Sequence, residues 1–134
     1  MASRIRHYVD TSAFIAFLDR SDSYHSAYRR LFMDTPPLAT SALTIAEGHG
    51  WFLRRYDSRR AIQFLSFIDA LDALTVFPFD LNQLALASGI VKKYQDQQLT
   101  LADAHGLALM RELRVKECWS TDRHLGLTGV SLIN

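Results

Sequence analysis

Short runs of β-like residues alternate with longer stretches of helical spacing from one end of the chain to the other. The runs "IRHYV", "PLAT", "LTVF", "VKECWS" and "VSLI" are brief, β-branched or aromatic, and bounded by breakers, which predicts strands. Between them apolar residues recur at helical intervals: Tyr24, Ala27 and Leu31 on one predicted face, Ala61, Leu65 and Ile68 on another, and Ala102, Gly106, Leu109 and Leu113 on a third. Strand and helix in regular alternation predict an α/β fold, with a mostly parallel sheet of about five strands covered by helices on both faces. Such a sheet keeps its chemistry beyond the carboxyl ends of its strands.

At 134 residues the chain is expected to be one domain, spanning residues 1–134. Hydrophobic residues make up 49% and charged residues 22%, which excludes the disordered and fibrous classes. The 15 basic and 14 acidic residues leave a net charge of +1, so any site for a polyanion has to be local. Arginine clusters at Arg29-Arg30, Arg54-Arg55, Arg59-Arg60 and around Arg111, Arg114 and Lys116; each is either a phosphate contact or a solvated helix face. Cys118 is the only cysteine, which rules out an internal disulfide and fits a reducing compartment; in "KECWS" it reads as a small buried strand residue. The apolar run Ala13 to Leu18 is too short for a membrane span and lacks a signal-peptide pattern, so the expected location is the cytoplasm, with no membrane partner.

Four acids fall at strand-to-helix junctions. Asp10 ends the first predicted strand, Glu47 lies in the helix after the second, Asp103 is in the first turn of a helix and Asp122 follows the fourth strand. Asp10, Asp103 and Asp122 each have an alternative as helix caps, and Thr100 and Asp103 have the spacing of a capping box. Asp80, in "FPFDLNQLA", is assigned to capping alone. Glu47 fits capping less well, because Leu43 and Trp51 at i±4 put it on an apolar stripe; Asp103 likewise shares its face with Leu107 and Met110. Carboxylates placed there need a cation, either an arginine brought in by the fold or a metal that serves several acids at once. Acids without a supporting Cys or His cluster suit Mg²⁺ or Mn²⁺ better than zinc, and His49 and His105, two places from Glu47 and Asp103, point away on a helix. H-E-x-x-H, C-x-x-C, a glycine-rich phosphate loop and G-x-S-x-G are all absent from the sequence, which leaves metal-assisted chemistry on phosphate.

"VDTSAFIAFLD", "TSALTIAE" with its T-x-x-E, "LTLADA" and "STDRHL", in this order and at these separations, resemble a PIN domain, the fold of the VapC-type toxin ribonucleases. The resemblance covers nearly the whole chain. It implies an Mg²⁺- or Mn²⁺-dependent endoribonuclease with an acidic metal site at Asp10, Glu47, Asp103 and Asp122. Asp10 and Asp103 are expected as direct ligands, Asp122 as a ligand directly or through water, and Glu47 as a ligand or as the group that orients the attacking water. Thr11, Ser12 and Thr121 match hydroxyl positions near the metal. His124 stands where some members carry a further acid, which leaves a second metal open. Gly48 and Gly50 fall inside a predicted helix, where close packing of a partner or substrate, or an early helix break, would account for them.

Two other classes fit less well. A signalling receiver domain also has an acidic Mg²⁺ pocket, but the paired acids after the first strand and the lysine after the last are missing here. A non-catalytic RNA- or protein-binding module is disfavoured by the four acids. The short chain without an appended domain favours a stand-alone toxin paired with a small antitoxin over a housekeeping RNA-processing nuclease. Trp51, Phe52, Phe64 and Phe67 exceed what one helix face needs, so they form either a homodimer surface or a core.

Overall fold

The computed structural model describes residues 4–134. Five parallel strands, β1 (His7–Val9), β2 (Leu38–Ser41), β3 (Leu74–Phe77), β4 (Glu117–Trp119) and β5 (Ser131–Ile133), form one sheet in the order β3-β2-β1-β4-β5. Six α-helices connect them: α1 (Thr11–Leu18), α2 (His25–Leu31), α3 (Ala42–Arg55), α4 (Ser58–Ala70), α5 (Leu81–Lys93) and α6 (Leu101–Glu112). The predicted strands are all present: "LTVF" in full, "PLAT" shifted one residue on to Leu38–Ser41, and the other three trimmed to the residues that pair. The α/β class and the parallel sheet are therefore as the alternation implied.

Both faces of the sheet are covered, and the period-2 alternation of the strands divides the core in two. Val9, Leu38 and Trp119 point to one side, where they pack with Phe14, Tyr28, Phe52 and Phe64 from the first four helices. Their neighbours Tyr8, Ala39 and Cys118 point to the other side, against Leu107, Leu109 and Met110 of α6. With both faces of the sheet covered, α6 is buried along most of its length, from Ala102 to Met110.

The packing corrects two helix faces predicted from spacing. In α2 the buried residue is Tyr28, whose hydroxyl donates to the Ile133 carbonyl at 2.8 Å, while Tyr24 stays exposed before the helix begins. In α4 the inward face is Ala61, Phe64 and Ile68, and Leu65 is exposed. In both cases the aromatic residue next to the predicted position fills more of the core and sets the rotation of the helix.

Helix α3 runs unbroken through both glycines. At Gly48 the reason is α4: a Cβ there would sit 2.4 Å from the Phe64 ring, which is fully buried. Neither a partner nor a helix break is needed to explain it. Phe52 and Phe64 are core residues, and Trp51 and Phe67 pack partly buried against them, so this aromatic set is explained by internal packing.

Two alanine substitutions should therefore move stability in opposite directions. At Gly89, in the open middle of α5, an added methyl group would meet nothing within 4 Å, and alanine should raise stability by about 0.5–1 kcal/mol. At Gly48 the same change should lower it, because an overpacking cost of roughly 1–3 kcal/mol outweighs the helix gain. Urea unfolding of the two variants checks both signs, and a Gly48→Ala protein as stable as Gly89→Ala would disprove the close contact.

Candidate metal centre

The chain builds outward from β1 in one direction through β2 and β3, then returns to β1's other side with β4 and β5. The crevice between the carboxyl ends of β1 and β4 is thus the switch point of the sheet, the place where open α/β folds take ligands. Asp10 leaves β1 there, and its backbone N–H donates to the Trp119 carbonyl at 3.0 Å, tying the two strand ends together. The Ser120–Asp122 turn leaves β4 beside it. The start of α6 brings Asp103, and the second turn of α3 brings Glu47.

Asp10 occupies the N-cap position of α1 but makes no cap hydrogen bond. Its Oδ2 instead accepts from Ser12 Oγ and Ser120 Oγ, each at 2.9 Å, in a buried setting. Burial pushes its carboxyl above the usual range, the two serine hydrogen bonds oppose this, and the charge of Asp103 adds to it.

Asp103 does two things at once. It completes the capping box with Thr100: its Oδ2 accepts from the Thr100 N–H at 3.2 Å, and its own N–H donates to Thr100 Oγ1 at 3.0 Å. Its carboxyl is nonetheless raised, first by desolvation and then by the charge of Asp122, so capping does not satisfy it. One atom each from Asp103, Asp122 and His124 lie within 4.8 Å of one another, a spacing at which a single cation can be held. Asp10 and Glu47 lie outside that group but are coupled to it by charge.

Glu47 stands on the solvent-accessible rim, off the buried Thr44–Gly48–Phe52 stripe of α3. Thr11 Oγ1 donates to its Oε1 at 2.8 Å. Partial desolvation raises its carboxyl, with Thr11 opposing and Asp10, Asp103 and Asp122 adding repulsion. The apolar stripe inferred from Leu43 and Trp51 is thus turned slightly away, and Glu47 faces the other acids instead.

Of the hydroxyl residues singled out from the sequence, Thr11 holds Glu47 and Ser12 holds Asp10. Thr121 contributes its backbone N–H, which donates to Ser12 Oγ at 3.0 Å. The hydroxyl that reaches Asp10 from this turn belongs to Ser120, fully buried, which also accepts from the Asp122 N–H at 2.9 Å. Sequence reasoning missed Ser120 and the closeness of His124. The D-x-H spacing in a tight turn after a strand is the signal that could have found the histidine. His105 is fully buried between Ser41 Oγ and Gln83 Oε1, away from the acids as expected, and Asp80 caps α5 through the Gln83 N–H. Cys118 is buried on β4, also as expected.

Among the described residues the ion pairs are His7 with Glu117 and His124 with Asp122; no lysine or arginine neutralises Asp10, Glu47 or Asp103. Four carboxylates, of which Asp10, Glu47 and Asp103 have raised proton affinities, with one imidazole beside them make a donor set suited to a hard divalent cation.

Fold and site together define an open α/β protein with a cluster of acids at its switch point. The PIN domain family model matches residues 7–129, and the chain belongs to that family. Among solved structures it is similar to VapC20 of Mycobacterium tuberculosis, a sarcin-ricin loop cleaving toxin, with TM-score 0.84 and 21% identity over 92% of this chain and 95% of that one. It also resembles FitAcB from Neisseria gonorrhoeae, with TM-score 0.66 and 16% identity over 96% of each chain. A toxin-antitoxin complex from Klebsiella pneumoniae gives TM-score 0.63 and 17% identity, again over 96% of each chain. At these identities the likeness is one of fold. No curated protein sequence matches the chain significantly.

The raised carboxyls fix a pH dependence. An acid whose proton affinity is higher in the folded than in the unfolded chain destabilises the fold while it is charged, and the penalty disappears as pH falls through its folded pKa. Metal-free protein should therefore lose less stability, or gain some, as pH drops from neutral toward the usual carboxylate range, before general acid unfolding sets in. Asp103→Asn should be at least as stable as wild type without metal at neutral pH, and its pH response should be flatter. Added Mg²⁺ or Mn²⁺ should raise the melting temperature of wild type and not that of the variant. A variant that is less stable without metal and still stabilised by it would remove Asp103 from the site.

Proposed function

We propose that the chain is a divalent-metal-dependent endoribonuclease of the VapC toxin type, folded as one domain over residues 1–134 and acting in the cytoplasm. The observation that carries this reading is the gathering of Asp10, Glu47, Asp103 and Asp122 around the switch-point crevice, with no lysine or arginine among the described residues paired to the first three. Membership of the PIN family and the fold shared with toxin structures support it.

In this reading Asp10, Asp103 and Asp122 hold Mg²⁺ or Mn²⁺. The bound ion supplies a water of lowered pKa and neutralises charge at the scissile phosphate. Each side chain has a separate task. Ser12 and Ser120 fix the orientation of Asp10 by occupying its Oδ2, which leaves Oδ1 for the ion. Thr100 holds Asp103 in the same way. Glu47, on the rim and steered by Thr11, orients the attacking water or takes its proton, a role that its raised proton affinity suits. The Thr121 N–H keeps Ser12 aimed at Asp10.

The partners of this reading are an RNA substrate and a small antitoxin protein. Among the described residues no helix is long and apolar enough to cross a membrane.

Purified protein should cleave structured RNA with Mg²⁺ or Mn²⁺ and stop when EDTA is added, and Asp10→Asn should reduce the rate by orders of magnitude with an unchanged circular dichroism spectrum. Cleavage that survives excess chelator would defeat the mechanism. Expression of the chain alone should slow bacterial growth and an antitoxin should restore it; normal growth with soluble, active enzyme would mark a processing nuclease instead.

A further inference from the structure

The end of the sheet opposite the acids carries the contrary charge. Arg4 and Arg6 lead into β1, Arg111 and Arg114 lie at the close of α6, and Lys116 leads into β4; all five are exposed. Tyr8 pairs with Cys118 in parallel register, so Arg6 and Lys116 enter neighbouring strands level with each other. Two adjoining recesses form there. One, of about 390 Å³, has Arg4, Arg6, Arg114 and Lys116 in its walls, and the other, of about 550 Å³, has Arg111, Arg114 and Lys116. The one acid lining them is Glu117, whose Oε2 lies 3.1 Å from His7 Nδ1. None of the five cations has an acidic partner among the described residues. Because they come from three separate segments, they are more than the solvated face of one helix.

Arg114, which both recesses share, is held against its own backbone preference. Helix α6 ends in a Schellman motif: the Val115 N–H donates to the Met110 carbonyl at 2.9 Å and the Arg114 N–H to the Arg111 carbonyl at 3.2 Å. That motif needs a left-handed residue just past the helix, and Arg114 has φ 56°. Glycine adopts this conformation without a Cβ penalty. Arg114 is one of two non-glycine residues with positive φ among the described residues. A cation gains some energy near a helix carboxyl end, but Arg111 in the last turn already supplies one. The turn would be served better by glycine, so the stability of the fold does not account for an arginine here.

We propose that this basic end is a docking surface for the phosphate backbone of a base-paired RNA stem, separate from the acidic crevice where the RNA is cut. The inference takes the RNA substrate from the function proposed above and adds how it is held. With a net charge of only +1 on the whole chain, the attraction has to be local, and the acids at the other end repel phosphate wherever no metal ion intervenes. Arg6 and Asp10 are four residues apart, about 13 Å of strand, so one stem-loop can reach both ends. None of the large exposed hydrophobic residues lines either recess, so the surface has no platform for stacked bases and no apolar wedge for a membrane. It has charge alone, which suits a duplex whose bases are turned inward and whose phosphates face out.

The test separates docking from cutting. A fluorescently labelled RNA hairpin would be titrated with protein in EDTA, so that metal-dependent cleavage is off, and its anisotropy read from about 50 to 200 mM salt. Arg6→Gln/Arg114→Gly/Lys116→Gln should bind about tenfold more weakly or worse, and the slope of log affinity against log salt should fall by about 2–3. Arg29→Gln/Arg30→Gln/Arg54→Gln, which loses the same charge elsewhere, should match wild type. Arg114→Gly alone should melt at or above the wild-type temperature yet hold the hairpin less tightly, which distinguishes a lost contact from a damaged fold. With metal restored, the basic-end variant should cleave a long stem-loop with raised KM and unchanged kcat. Equal affinity and salt slope in wild type and that variant, equal losses in the two triple variants, or no hairpin binding by wild type would each overturn the inference. A single strand of the same length bound as tightly as the hairpin would overturn the choice of a duplex. Binding of poly-glutamate that the basic-end variant loses while keeping its RNA affinity would overturn it in favour of an acidic protein segment. If the hairpin binds as expected and no RNA is cleaved with metal, the nuclease reading fails and the docking surface stands.

Discussion

Charge repulsion among carboxylates is concentrated at one end of the sheet. Asp10, Glu47, Asp103 and Asp122 reach the same crevice from four different elements, and three of them are raised in proton affinity by desolvation and by one another. An unpaired carboxylate that is mostly withdrawn from water is costly, and several together are costlier, unless a cation joins them. The chain offsets this cost only in part, with hydroxyl and backbone donors: Ser12 and Ser120 on Asp10, Thr11 on Glu47, Thr100 on Asp103. Neutral donors orient the acids without cancelling their charge. Repulsion between the acids therefore persists.

The scaffold tolerates this strain because its two cores lie on either side of the sheet and not at its end. Trp119 and Tyr8, on the strands that lead to the acids, are buried on opposite faces. On one side the close fit of α3 against Phe64 at Gly48 fixes the helix that carries Glu47. On the other, the fully buried His105 joins α6 to the start of α3 through Ser41 and to α5 through Gln83. The acids are thus held by packing and hydrogen bonds remote from the pocket, so their spacing does not have to be maintained by the groups that repel one another.

Much of this was legible in the sequence. Strand and helix alternation implied the sheet, and the junction rule located Asp10, Asp103 and Asp122 near its carboxyl end, because strand ends and helix starts are marked by local composition. The rotation of α2 and α4 was not legible. Periodicity allows neighbouring residues to compete for the inward face, and the larger aromatic, Tyr28 or Phe64, wins in the packed core. The role of Ser120 was hidden for a different reason: its partners are Asp10, far away in sequence, and a backbone N–H. For Asp103, cap and cluster acid stood as two alternatives; a carboxylate has two oxygens, and both descriptions apply.

The bond between Ser120 and Asp10 spans 110 positions. The acidic cluster is therefore among the most non-local features of the chain. β4 has to pair beside β1 before Ser120 reaches Asp10. Until then Asp10 and Glu47 are present without Asp103 and Asp122 at the crevice. The acidic cluster thus depends on a strand pairing between distant parts of the chain, and a chain without β4 beside β1 has the acids of β1 and α3 but not the cluster.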